Sequence, residues 1–262
     1  MKKRIISLLL SLALILSLLP MSVFAATDYN LYINDFQFAS DALTYTGEKG
    51  TATYDPGSKT LTLDNLTVST HHANGIIWNE DIAGLTIRIK GTVTINLPES
   101  SSWGGTDYAA GMPNFAFMLK AATTITGASG SKDTDKIVIN STSVNNRYTA
   151  VNGFTRIGIN TTAALTLRNV TLSMTDSSAN KYAGRASLIC AGGYTSISGC
   201  KLDAQKCSLG LYMLDKASAN IEGTEFSMDL YGYSFGLNFA PSTTSYVSNC
   251  SGTINASFPL YT

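Results

Sequence analysis

Beyond residue 58 the chain is written in short alternating runs. Leu61-x-Leu63 is followed by Leu66-x-Val68, and Leu165-x-Leu167 by Val170-x-Leu172, with Thr between the apolar positions each time. A period of two, rich in β-branched residues, predicts strands buried on one face rather than helices. The two passages, KTLTLDNLTVS (59–69) and ALTLRNVTLSM (164–174), say nearly the same thing. In both, an Asn that tolerates left-handed backbone separates the two runs. Each therefore reads as a strand, a tight corner and a return strand.

The element apolar-x-[Asn/Gly]-x-x-apolar recurs with its corner residue at Asn65, Asn169, Gly199, Gly223 and Asn249, and more loosely at Gly91 and Gly127. Successive copies are 26, 36, 42, 30, 24 and 26 residues apart. A period in the twenties with strand-like content predicts a solenoid of about seven coils. A β-sandwich of hairpins is the rival, and the in-phase echoes favour the solenoid. Residues 208–223 lie over 234–249 without a gap, and 184–199 fit the same frame less well. The long spacings have visible causes in the insertions PESSSWGGTDYAAGMPN (98–114) and ASGSKDTD (128–135). Asn corners are expected to stack from coil to coil through their side-chain amides.

Residues 28–58 read differently, as strands with a turn at Asp55-Pro56-Gly57. They are expected to form a β cap (26–58) on the first coil of a solenoid spanning 59–262, because an open solenoid end exposes unpaired strand edges. Ahead of them, a basic start, an apolar run and the small residues Val23 and Ala25 predict a signal peptide (1–25) cleaved after Ala25. An uncleaved anchor is the alternative. No later stretch is apolar enough to span a bilayer, so a secreted protein, extracellular or held at the cell surface, is expected. Cleavage removes Lys2, Lys3 and Arg4, leaving 15 basic against 18 acidic residues, a formal charge of −3. That balance excludes a basic surface for nucleic acid.

The run ATYDPGSKTLTLDNLTVS followed by GIIWNEDIAGLTIRIKGTVTI resembles the right-handed parallel β-helix, pectate-lyase-like modules of bacterial secreted and surface proteins. The matching residues are Tyr54-Asp55-Pro56, Thr60 to Asn65, Gly75-Ile76 and Leu85 to Gly91. The resemblance implies a right-handed parallel β-helix and an extracellular location more than an activity. The wider fold family includes polysaccharide lyases, polygalacturonases and pectin esterases, but their residue sets are not recognisable here. Arg88-Ile89-Lys90 matches one polygalacturonase motif, yet it comes early and alone, and it reads as the outward residues of a strand. Asp203 with Glu222 or Asp229 is the remaining carboxylate pairing for a glycosidase. The corner acids Asp133 and Asp135 read as solvated rather than calcium-binding. His71 and His72 read as a solvated corner too. No cofactor and no metal are expected.

The repeat frame puts Cys200 and Cys250 two coils apart, about 9.6 Å by strand spacing, beyond the reach of a disulfide. It aligns Cys190 with the apolar Leu214 and leaves Cys207 off that line. Buried free thiols are expected. For ligand binding, the 98–114 insertion supplies Trp103, Asp107 and Tyr108, with Tyr182, Tyr194, Tyr231, Tyr233 and Tyr246 as further aromatic surface. The expected function is a monomeric, non-catalytic module that binds a glycan or another cell-surface ligand. A polysaccharide-degrading enzyme and a structural scaffold or adhesin segment are the alternatives.

Overall fold

A computed structural model describes residues 26–69, 76–97, 114–141, 156–177, 186–241 and 243–262. Among these residues the chain forms 24 strands and no helix. The first four make two hairpins: β1 (Asp28–Ile33) with β2 (Phe36–Ala39), and β3 (Thr44–Thr46) with β4 (Lys49–Asp55). Asp55 then closes a turn. Its carboxylate accepts the Gly57 amide at 2.9 Å and the Ser58 hydroxyl at 2.6 Å.

From Thr60 the strands fall into three rows, each revisited at every third strand. The first row holds the front of β5 (Thr60–Ser69), β7 (Leu85–Lys90), β10 (Thr123–Gly127), β13 (Leu165–Arg168), β16 (Thr195–Ser198), β19 (Ala219–Glu222) and β22 (Tyr246–Ser248). The second holds the rear of β5, β8 (Thr92–Leu97), β11 (Lys136–Ser141), β14 (Thr171–Asp176), β17 (Lys201–Gln205), β20 (Glu225–Asp229) and β23 (Ser251–Asn255). The third holds β6 (Ile77–Asn79), β9 (Asn114–Leu119), β12 (Arg156–Thr161), β15 (Ala186–Ala191), β18 (Leu209–Met213), β21 (Phe235–Asn238) and β24 (Phe258–Tyr261). Neighbours within every row pair in parallel. β5 pairs with β7 through 60–64 and with β8 through 67–69, so the first two rows share one sheet. The all-β, stacked parallel arrangement is compatible with a β-helix-like solenoid.

Register explains the apolar pattern. Leu61, Ile87, Ile125, Leu167, Ile197 and Ile221 are successive partners down the first row, and all are fully buried. Val68, Ile95, Ile139, Met174, Ala204 and Met228 do the same in the second. Each large aliphatic side chain so buried contributes on the order of 1.5–3 kcal/mol. The other side of the second row carries a polar column, Ser69, Asn96, Asn140, Thr175, Gln205, Asp229 and Asn255. Along it Asn140 Nδ2 donates to Asn96 Oδ1 at 2.8 Å, and Asn255 Nδ2 to Asp229 Oδ1 at 2.7 Å.

The corner between first and second rows is tight. Asn65, Gly91, Asn169, Gly199, Gly223 and Asn249 occupy it with φ of 47°, 72°, 52°, 60°, 55° and 52°. Gly127 differs: its φ is not positive, and the left-handed residue is Gly130 (φ 75°), because the 128–135 insertion widens this corner. Asn amides do not stack on one another here. Asn65 and Asn169 instead lie against the glycine of a neighbouring corner, Gly91 and Gly199, where a Cβ would collide with the Asn side chain. Asn65 Oδ1 also accepts the Thr92 amide at 3.3 Å.

The third row breaks the period of two. Ala116 with Phe117 and Leu188 with Ile189 both belong to the main core. Gly158, Gly210 and Gly236 face the core as well, since a Cβ at each would meet Ile139, Met228 and Ile254. Two consecutive inward residues per strand set the outward ones three apart, as at Phe115 and Met118 or Leu209 and Tyr212. Those outward residues form a second apolar cluster, in which Phe115, Ile157, Cys190 and Leu209 are buried. Cys190 therefore pairs with Tyr212 rather than Leu214. The expected alignment slipped there because three residues join β15 to β16 and five join β18 to β19. The connections from second to third row vary most, at seven, sixteen, fourteen, nine, three, five and two residues in chain order.

Candidate functional site

Trp103, Asp107 and Tyr108 lie outside the described residues, as do His71, His72 and Tyr182. Two surfaces among the described residues offer chemistry. The first is an open groove of about 490 Å³ on the first row, lined by Thr62, Arg88, Lys90, Gly91 and the 128–135 corner. Arg88 and Lys90 project outward, exposed, because they alternate with buried Ile87 and Ile89. Lys90 is engaged by Asp64 at 2.6 Å, and that hydrogen bond holds the Asp64 carboxyl below its usual range. Arg88 makes only a long 3.4 Å hydrogen bond to the Ala128 carbonyl.

Asp135 borders this groove but is itself buried. Burial alone would favour its neutral form. The Ser129 hydroxyl and amide, each 2.6 Å from Oδ2, and the Gly91 amide, 2.9 Å from Oδ1, outweigh that and hold the carboxyl below the usual range, with Arg88 adding to the effect. A carboxylate whose two oxygens already accept three donors is a corner brace, ill suited to taking up a substrate proton. Asp133 stands apart, exposed, with Lys132 at 3.5 Å. Asp203 and Asp229 lie on adjacent strands, but Asp203 faces Ser227 in register and Asp229 lies two residues further on. Asp203 accepts from Gln205 at 2.7 Å and Asp229 from Asn255 at 2.7 Å, while Glu222 sits before the Gly223 corner. Among the described residues no three of His, Cys, Asp and Glu are grouped to hold a metal ion.

The second surface is aromatic and lies on the outer side of the third row. Phe235 and Phe258 are register partners, stacked with centroids 5.0 Å apart and planes 16° apart. Tyr233 meets both edge-on at 5.4 and 5.0 Å, and Tyr261 meets Phe235 at 5.3 Å. The stack holds these rings in place, yet Tyr233 remains 75% and Tyr261 50% exposed. Exposed rings on a rigid mount lose little entropy when a ligand settles on them. Far along the same row, Tyr32 stacks on Trp78 at 5.0 Å, with the Lys120 ammonium 5.1 Å from the Trp78 ring. Tyr194 and Tyr246 are also exposed, but separately. The aromatic pattern in the sequence pointed to Tyr233 and missed Phe235, Phe258 and Tyr261. Their signal was the x-Φ-[Gly/Pro]-Φ pattern of the third row, legible only once its three-residue outward spacing is known.

No protein-family model, curated protein or solved structure matches this chain. No helix among the described residues is long and apolar enough to cross a membrane. The four cysteines are free thiols, three of them buried and Cys250 half-buried. Burial pushes the Cys200 thiol up to about 11 and Cys207 higher still, so neither supplies a thiolate nucleophile at neutral pH.

Proposed function

We propose that this chain is a secreted, non-catalytic module that binds carbohydrate. On this reading the three rows are the faces of a right-handed parallel β-helix of about seven coils, of the kind its Tyr54–Asn65 and Leu85–Gly91 segments resemble. β1 to β4 cap its first coil, and residues 1–25 direct export. The observation that carries the binding is the aromatic mount of Tyr233, Phe235, Phe258 and Tyr261. Sugar rings present C–H groups on one face and hydroxyls at the rim, which suits an exposed tyrosine ring with its own hydroxyl. Trp103, Asp107 and Tyr108 belong to the same proposal as a second contact.

A glycan array probed with the processed protein, alongside an assay for new reducing or unsaturated ends, tests this. Binding without cleavage is expected. Tyr233→Ala should weaken binding about tenfold, in line with loss of one stacking contact. Trp103→Ala should weaken it by less. Chain cleavage would instead make the protein a polysaccharide-degrading enzyme. Neither binding nor cleavage would leave a scaffold role.

A further inference from the structure

We propose that the outer face of the first row binds a tetrahedral oxyanion, a sulfate or phosphate ester carried on a glycan, through Arg88 and Arg168. This extends the carbohydrate reading to a second face and rests on none of the residues of the aromatic mount. Two outward columns run side by side there. One is Thr60, Thr86, Thr124, Thr166 and Ser196; the other is Thr62, Arg88, Thr126, Arg168 and Ser198. Across these strands the two columns hold hydroxyls and guanidinium groups and no carboxylate. The first acid in register is Glu222, on β19. In a chain with 18 acidic and 18 basic residues, this strip offers hydrogen-bond donors without a competing carboxylate.

Both guanidinium groups have donors to give. A guanidinium carries five N–H groups, and Arg88 spends one on the 3.4 Å contact to the Ala128 carbonyl. No salt bridge among the described residues reaches Arg88 or Arg168, and both side chains are exposed. The neighbouring carboxylates are already engaged: Asp64 holds Lys90, and buried Asp135 accepts from Ser129 and Gly91. Beside Arg88 the 128–135 corner raises a wall, which turns the flat strip into the groove of about 490 Å³. Thr62 and Thr134 line that groove as well. A carboxylate has two oxygens in one plane, and a single guanidinium fork satisfies both. A sulfate or phosphate ester has terminal oxygens on more than one side, so it accepts from the fork and from a groove hydroxyl together. Arg168 lies two strands further along the same column, about 9.6 Å by strand spacing and roughly the length of two sugar units. A second ester on the same glycan chain reaches it there.

The affinity of the processed protein for dextran sulfate, phosphorylated dextran, unmodified dextran and polygalacturonate tests this, because the three dextrans differ only in their substituent. An esterified dextran is expected to bind, and the tighter of the two names the ester. The double variant Arg88→Gln with Arg168→Gln should weaken that binding at least ~10-fold, with the thermal midpoint unchanged. Added salt should weaken it too, since the strip is exposed. Lys49→Gln, which removes a charge from β4, should leave it intact. Tyr233→Ala should also leave it intact, so failure of the aromatic mount and failure of this site are told apart. Any binding of unmodified dextran should be untouched by the double variant. Absence of binding to either ester, binding indifferent to the double variant, or equally tight binding of polygalacturonate at matched charge would each overturn the proposal.

Discussion

The two ends of the stack are built by opposite rules. At the N-terminal end β4 and β1 lie antiparallel on the first parallel strands and bring an apolar lining with them. Leu31, Ile33 and Phe38 are fully buried, and Phe38 meets Phe36 at 5.0 Å and Tyr54 at 6.0 Å, both edge-on. The outside of that segment carries Asp28, Asp35, Asp41, Glu48, Lys49 and Asp55. At the C-terminal end the columns reach Val247, Ile254 and Leu260, which have a strand neighbour on one side only among the described residues. A residue contributes to stability according to whether something covers it: Leu31, Ile33 and Phe38 are covered in this structure, whereas Val247 and Leu260 are exposed.

Matched truncations make this difference measurable. Phe38→Ala should lower stability by about 3–5 kcal/mol, the usual range for emptying a filled aromatic site. Leu260→Ala, measured under conditions where the protein is monomeric, should cost less than about 1 kcal/mol. Equal losses in chemical denaturation would show that the two ends are covered alike. Asp135→Asn comes next, at about 1–3 kcal/mol near neutral pH, because buried donors lose a charged acceptor. Its pH dependence has a definite sign. The folded carboxyl sits below its ordinary value, so its contribution is complete above that value and is lost as pH falls below about 4 toward the folded value. The Asn variant should therefore lose less stability than the wild type between neutral and acid pH. The smallest effect concerns the thiols. In the native monomer Cys250, the half-buried cysteine near the open end, should react with a thiol reagent well ahead of Cys190, Cys200 and Cys207, which should react only on unfolding. Uniform labelling would remove the contrast between a closed and an open core.

The sequence was most legible where one residue answers to one geometric demand. Left-handed corners admit few residue types, and Asn65, Gly91, Asn169, Gly199, Gly223 and Asn249 mark six of them. The inward columns of the first two rows follow from alternation alone. The third row was harder to read, because Gly158, Gly210 and Gly236 let two successive residues face inward and shift the outward phase. Cys190 was aligned with Leu214 rather than Tyr212 for a different reason, the two extra residues that join β18 to β19. The aromatic mount was missed because Phe235, Phe258 and Tyr261 converge only after β22 and β23 have carried the chain back to the third row. Asp135 looked like one of two corner acids. Its burial depends on Gly91 and Ser129, neighbours that the sequence alone does not connect to it.

The connections from second to third row range from two residues to sixteen, yet the strands on both sides keep unbroken register with their neighbours. The frame keeps time while one corner is free to change length. A foreign peptide spliced between β11 and β12 would add only the slowly growing loop-closure term, about 0.6 kcal/mol per doubling of length. The length of such a connection is thus uncoupled from the pairing that holds the stack together.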